Sequence, residues 1–243
     1  MMRKLLGAAL AAAVALSVMP VSAADLFYPE PEYDVPDVDY GLGGSFYLRG
    51  SVGLNGWWAR DFRFRDCPDT CGEPFEVVTS EVTESGFGYS FGAGFGYETG
   101  DGLRADVTID RLHIDGITDG DYEVSLRSTL ALANAYLDFP LSAGAAGGFG
   151  AYVGAGFGAA YNDLSSTGPN PGPDGGSWTA AGAVMAGVTY DMGALVADLG
   201  YRGIYMPQLT NGDAALEGPA LSPYYIDNNF IHEVRGTMRY RMQ

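Results

Sequence analysis

The chain is almost without lysine: Lys4 is the only one in 243 residues. It carries two histidines and two cysteines. Past its first two dozen residues it has no apolar run of about 18, which excludes a membrane-spanning helix in the remainder. The shortage of cations sets 13 Lys+Arg against 30 Asp+Glu. That balance excludes a nucleic-acid partner, because phosphate binding needs a basic face. A metal centre is also poorly supplied. Cys67 and Cys71 would need two more ligands, and neither histidine is near them in sequence. No cofactor is expected.

What is present begins with a targeting segment. Arg3 and Lys4 precede an apolar stretch from Leu5 to Met19, and Val21-Ser22-Ala23 offers small residues before a cut. This is the pattern of a secretory signal peptide spanning 1–23. The mature chain then has 243 − 23 = 220 residues, with 11 basic residues against 30 acidic and a net charge of −19. In an exported protein the close pair Cys67 and Cys71 reads as a disulfide that tightens a loop. Residues 24–44 hold Pro29, Pro31 and Pro36 among acidic residues and tyrosines. They read as a flexible periplasmic tether. The barrel is expected over 45–243, with no peptidoglycan-binding domain after the last strand.

Export without an apolar helix leaves a closed β-barrel as the way to span a membrane, since every backbone N–H and C=O must be paired in lipid. Its signature is about ten residues of alternating character between turns. From Phe87 to Tyr97 the odd positions are nearly all aromatic and the even ones glycine or serine. Phe46, Leu48, Val52 and Leu54 alternate with Tyr47, Arg49, Ser51 and Asn55. Leu103, Ala105, Val107 and Ile109 alternate with Arg104, Asp106, Thr108 and Asp110. Similar alternation recurs to Tyr240. The pattern predicts an all-β, eight-stranded antiparallel transmembrane barrel with strands near 45–57, 86–98, 102–113, 123–139, 149–161, 177–191, 195–206 and 229–242. The facing of 123–139 is open: Asn134, Tyr136 and Asp138 suit a lumen, but Leu130 and Leu132 share their side, so either a bulge or an uneven lumen is implied.

Connections after the even strands are short, and those at 58–85, 114–122, 162–176 and 207–228 are longer. Short periplasmic turns and long external loops are the topology of a bacterial outer-membrane barrel. On this topology aromatics form two belts. Phe46, Tyr97, Phe149, Tyr190 and Tyr240 lie at periplasmic ends. Trp57, Trp58, Phe87, Tyr161, Trp178, Tyr205 and Phe230 lie at external ends. The lumen is expected to carry Arg49, Arg104, Arg202, Arg235, Arg239 and Arg241 with Glu98, Asp106, Asp191, Asp198 and Glu233. Desolvated charges must pair, and an eight-stranded barrel has room for side chains only, so a salt-bridged plug is favoured over an ion pathway. External loops such as 168–175 are rich in Gly, Pro, Asn and Asp, which names no ligand.

Catalysis would need a nucleophile and base held together. Ser222 and Asp227 are near His232 in sequence, which chance supplies easily. His113 and His232 are candidate haem ligands, and a rim histidine without a ligand is the commoner case. Several motifs resemble the small OmpA-like or opacity-like outer-membrane barrels of alphaproteobacteria: Ala24-Asp25-Leu26, Phe46-Tyr47-Leu48-Arg49-Gly50, Ala133 to Phe139, Phe149 to Gly158, and His232-Glu233-Val234-Arg235 through Arg239-Tyr240-Arg241. The resemblance implies a surface protein that stabilises the envelope and contacts outer-membrane lipid and lipopolysaccharide; the acidic charge is compatible with that, since divalent cations can bridge it to lipopolysaccharide phosphates. It also implies folding by the barrel-assembly machinery, for which such chains usually end in an aromatic residue; this one ends Tyr240-Arg241-Met242-Gln243. A non-enzymatic structural and surface-interaction barrel is expected. The alternatives are a haem or small-ligand receptor, a lipid-modifying enzyme and a narrow porin.

Overall fold

The computed structural model describes residues 43–59, 61–66, 76–81, 84–119, 122–144, 147–168, 174–211 and 224–242. The signal segment, the tether up to residue 42 and both cysteines lie outside the described residues. Ten strands are formed: β1 (Ser45–Trp58), β2 (Asp61–Asp66), β3 (Glu76–Glu81), β4 (Gly86–Glu98), β5 (Leu103–Asp119), β6 (Tyr122–Gly144), β7 (Gly147–Thr167), β8 (Gly175–Asp191), β9 (Leu195–Thr210) and β10 (Tyr224–Met242). β1 pairs with β4 on one side and with β10 on the other. The series β1-β4-β5-β6-β7-β8-β9-β10 therefore closes into a ring of eight antiparallel strands. The fold class expected from the alternation is the one formed.

The stagger of the ring follows from its register. From Leu48 the facing residues are Phe95, Val107, Ala133, Phe157, Gly182, Tyr205 and Phe230, and the path returns to β1 at Trp58. One circuit advances 58 − 48 = 10 residues along β1. With spacings of about 3.3 Å along a strand and about 4.8 Å between strands, that stagger tilts the strands by about 40°. The connections at 99–102 and 192–194 reverse the chain between adjacent antiparallel strands within three or four residues. Gly100 and Gly193 hold φ of 79° and 87° in them, a region open to glycine.

Alternation places large apolar side chains outward on every ring strand. Phe87, Phe157 and Trp178 are 74, 71 and 73% exposed. From Phe46 to Trp58 on β1, the 58 − 46 = 12 residues rise about 30 Å at this tilt, close to the hydrocarbon thickness of a bilayer. A continuous apolar band of that height is far larger than the roughly 300–600 Å² patch typical of a soluble monomer.

The interior has two zones. Toward the short turns it is charged, with Arg104, Arg202, Asp110 and Glu233 essentially inaccessible. Toward the loop end it is apolar, with Leu112, Ile114, Leu126, Leu130, Leu132, Ile204, Met206 and Ile231 in one cluster. β6 keeps a single facing: Leu130, Leu132, Asn134 and Tyr136 are all buried. The uneven lumen, not a bulge, reconciles them, and the bulge that β6 does have lies between Pro140 and Ser142.

Three expectations are corrected. The segment 58–85 is not simply loop, because β2 pairs with the outer end of β10 (Tyr224 with Phe64, Asp227 with Asp61) and β3 pairs with β2. The connection 114–122 shrinks to residues 120–121, since β5 and β6 run past the membrane band, shifting register between Ile114 and Ile117. Trp57 is not in the belt. It follows from period two that Trp57 and Trp58 face opposite sides. Trp57 is fully buried and donates its indole N–H to Asn229 Oδ1 at 3.0 Å, whereas Trp58 is 50% exposed. Replacing Trp57 by Ala should therefore cost about 3–5 kcal/mol and lower the temperature at which the folded band disappears on gels, while Trp58→Ala should shift it far less. Equal shifts would contradict this facing.

Candidate functional site

The charged zone is assembled by inward positions of β1, β4, β5, β6, β8, β9 and β10. Glycines on β4 and β7 make room for it. A Cβ on Gly92 would collide with Asp110, and one on Gly156 with Asn134. Without side chains on those walls, long arginines from neighbouring strands can cross the lumen.

Three groups of ion pairs are stacked along the barrel. In the middle, Arg202 donates to Asp110 Oδ2 at 2.7 Å and to Glu233 Oε2 at 3.0 Å, and Arg235 donates to Asp110 Oδ1 at 2.5 Å. Ser90 donates to Glu233 Oε2 at 2.6 Å. Nearer the turns, Asp106 accepts from Arg49 at 2.7 Å, from Asn134 at 2.7 Å and from Tyr47 at 2.8 Å. Arg104 grips Asp138 with two bonds of 2.9 Å and lies 3.9 Å from the centre of the Tyr136 ring. At the turn end, Arg239 binds Asp198 at 3.0 and 3.2 Å and Glu98 at 3.1 Å. Arg241 binds Asp191 at 2.7 Å and also pairs with Glu98. A 590 Å³ cavity lies here, lined in part by Glu98, Asp138, Asp191, Arg239 and Arg241.

The structure thus brings together all eleven lumen residues singled out in the sequence: Arg49, Glu98, Arg104, Asp106, Asp191, Asp198, Arg202, Glu233, Arg235, Arg239 and Arg241. Sequence reasoning left out Asp110, the hub of the middle group, although it shares the alternation of Arg104 and Asp106. It also left out Tyr47, Tyr136 and Ser90 as partners. Tyrosines are ambiguous because the same residue type populates the belts, and only register shows which carboxylate each one reaches.

Apart from Trp57, the belt aromatics are outward. Phe46 and Tyr97 contact each other with centroids 5.0 Å apart at the turn end, as do Phe149 and Tyr190 at 4.8 Å. Tyr161 and Trp178 meet at 5.3 Å at the loop end. His113 and His232 are outward too, on β5 and β10, with β1 and β4 between their strands. Three strand spacings, about 14 Å, separate those strands, too far for both to ligate one haem iron. The ring of His113 stacks on Tyr89 at 5.3 Å, and His232 Nδ1 shares a 2.7 Å hydrogen bond with Tyr201. Asp227 is held by Arg63 and by Gln208, so it does not orient His232; Ser222 lies outside the described residues. Among the described residues no serine is hydrogen-bonded to either histidine.

Beyond the membrane band, Asp227 ties β10 to the β2–β3 hairpin. Burial pushes its carboxyl up, but hydrogen bonds from Arg63 and Gln208 outweigh that and hold it below the usual carboxylate range. A depressed folded-state value means the pairing contributes fully above the ordinary value of about 3.9 and is lost as pH falls through the lower, folded value.

No protein-family model matches the chain. An uncharacterized protein of Brucella abortus (strain 2308) is 32% identical over an alignment of 287 residues, covering 93% of this chain and 94% of the relative. The chain belongs to the family of that Brucella protein. Among solved structures, Neisserial surface protein A is similar at 19% identity and a TM-score of 0.49, covering 82% of this chain and 99% of the other. The outer membrane protein OprG of Pseudomonas aeruginosa is similar at 15% identity and a TM-score of 0.44, covering 82% and 97%. The closed strand pairing described above, not these loose superpositions, establishes the fold.

Two outcomes test the site. Arg202→Met leaves Asp110 and Glu233 with Arg235 alone and should destabilise the barrel by about 3–5 kcal/mol, whereas adding Glu233→Gln, which keeps Asp110 paired with Arg235, should restore much of the loss. Restoration absent in a denaturant titration would mean the middle group is not the coupled unit described. At neutral pH, Asp227→Asn should speed tryptic cleavage at Arg60, Arg63 and Arg65 while the ring strands stay protected. Acidification of the parent below the folded-state value should loosen the same segment, as read by hydrogen exchange.

Proposed function

We propose that this protein is a non-enzymatic barrel of the bacterial outer membrane that serves envelope integrity and surface interaction. The observation that carries this reading is the pairing of a lipid-facing apolar band with an interior that is filled between the cavity at its turn end and the loop end. The lower half is cross-linked by arginine–carboxylate pairs and the upper half is packed with aliphatic side chains. A filled eight-stranded barrel has no open aqueous path. Export by a cleaved signal peptide over 1–23 and external placement of the loop end belong to the same reading, as do contacts with outer-membrane lipid and lipopolysaccharide and folding by the barrel-assembly machinery. The disulfide Cys67–Cys71 would brace the segment leading from β2 to β3. The family of the Brucella protein is, on this reading, a branch of the OmpA-like or opacity-like barrels. The outer-face placement of His113 and His232 on separated strands favours it over a haem receptor.

Planar bilayers test it. The purified, folded protein should insert without producing discrete conductance steps, and its overexpression should leave lipid A and phospholipid profiles unchanged. Stable unitary conductance would replace the plug by a pore, and an altered lipid profile would make the protein an enzyme.

A further inference from the structure

The loop-end aromatic girdle is interrupted. Trp58 on β1, Phe87 on β4, Tyr161 on β7, Trp178 on β8, Tyr205 on β9 and Phe230 on β10 mark its level, but β5 and β6 supply no aromatic there. Their outward positions hold Arg111, His113, Arg127 and Thr129 instead. Of the eight arginines in the ring strands, six face the lumen, and Arg111 and Arg127 are the other two. A protein with 13 Lys+Arg against 30 Asp+Glu thus gathers its only outward ring-strand arginines at one gap.

The local geometry leaves these cations available. His113 and Arg127 are directly opposed in register, and Arg111 faces Thr129 one pair further toward the membrane. Arg111 donates to Thr129 Oγ1 at 2.6 Å, and its nearest carboxylate, Asp163, is 3.9 Å away. His113 Nε2 is 3.5 Å from Asp115. Arg127 is exposed and has no ion pair among the described residues. Asp115 lies two residues farther from the membrane than His113, and Asp163 lies two residues beyond the girdle residue Tyr161. Asp163 faces Arg127 directly in register, whereas Arg111 lies one outward pair nearer the membrane than both. Arginine at a bilayer edge is tolerated at roughly 0–1 kcal/mol and binds phosphate through a planar fork of donors.

We propose that Arg111, His113 and Arg127 form a binding site for the phosphate-bearing headgroup of an outer-leaflet lipid, lipid A, with its acyl chains lying along the Ala131–Ala133 and Val107–Ile109 wall. This rests on the loop end facing the cell exterior. Full-length protein in detergent is heated with bisphosphorylated lipid A, with dephosphorylated lipid A or with inorganic phosphate, and the midpoint of its heat-dependent gel shift is read. Bisphosphorylated lipid A should raise the midpoint of the parent, and the other two should not. R111Q/R127Q should weaken that response on the order of tenfold in lipid concentration, the size of one lost charge-assisted hydrogen bond. R127Q alone, whose side chain has no ion pair among the described residues, should weaken it in the same direction with an unchanged midpoint in detergent. An unaltered response in R127Q, equal protection by dephosphorylated lipid A, or equal protection by inorganic phosphate would each overturn the proposal. A heat shift retained without lipid keeps the barrel reading separate from the fate of this site.

Discussion

The pairing of β1 with β10 is the constraint on which everything else depends. Phe46 to Trp58 face Met242 to Phe230 without interruption, which removes the sheet edge and satisfies the backbone of both chain-terminal strands. Closure with a ten-residue stagger then sets the tilt, and the tilt sets how far the outward band extends. It also sets the width of the lumen. A narrow lumen admits side chains and no channel, so any charge placed inside must find its partner there.

The buried arginines follow from that. Each is an expensive group taken out of water, and each has a carboxylate within 3.1 Å from another strand. Pairs such as Arg202 with Asp110 and Arg235 with Asp110 span β9, β10 and β5, strands on separate sides of the ring. Geometry of this kind holds one register against alternatives, because slipping a strand by one residue turns its charges toward lipid. The apolar zone above has a different task. It lets β5, β6, β7 and β10 continue past the membrane band as a packed extension instead of ending in long loops.

Much of this was legible in the residues. Period-two alternation located the eight ring strands, and the eleven lumen charges could be read from it because an arginine or aspartate on the bare face of Phe46–Asn55 or Leu103–Asp110 has only one place to go. Legibility failed where alternation loses contrast. The β2–β3 hairpin was hidden because short, mixed stretches such as Asp61–Asp66 resemble loop. The outer ends of β5 and β6 were hidden because both faces there change character, inward to aliphatic and outward to polar. Trp57 was misplaced because adjacent tryptophans look like one belt, although the backbone sends them to opposite sides. Asp110 was the opposite case, visible by parity and passed over.

The central claim is that the closed ring exists as a lipid-embedded barrel. It is tested most directly by the gel mobility of the protein extracted from purified outer membranes, with and without boiling. A folded ring resists detergent, so the account predicts that the unboiled protein migrates apart from the boiled one and is found in the outer-membrane fraction. A single mobility, with the protein soluble in the periplasm, would contradict it.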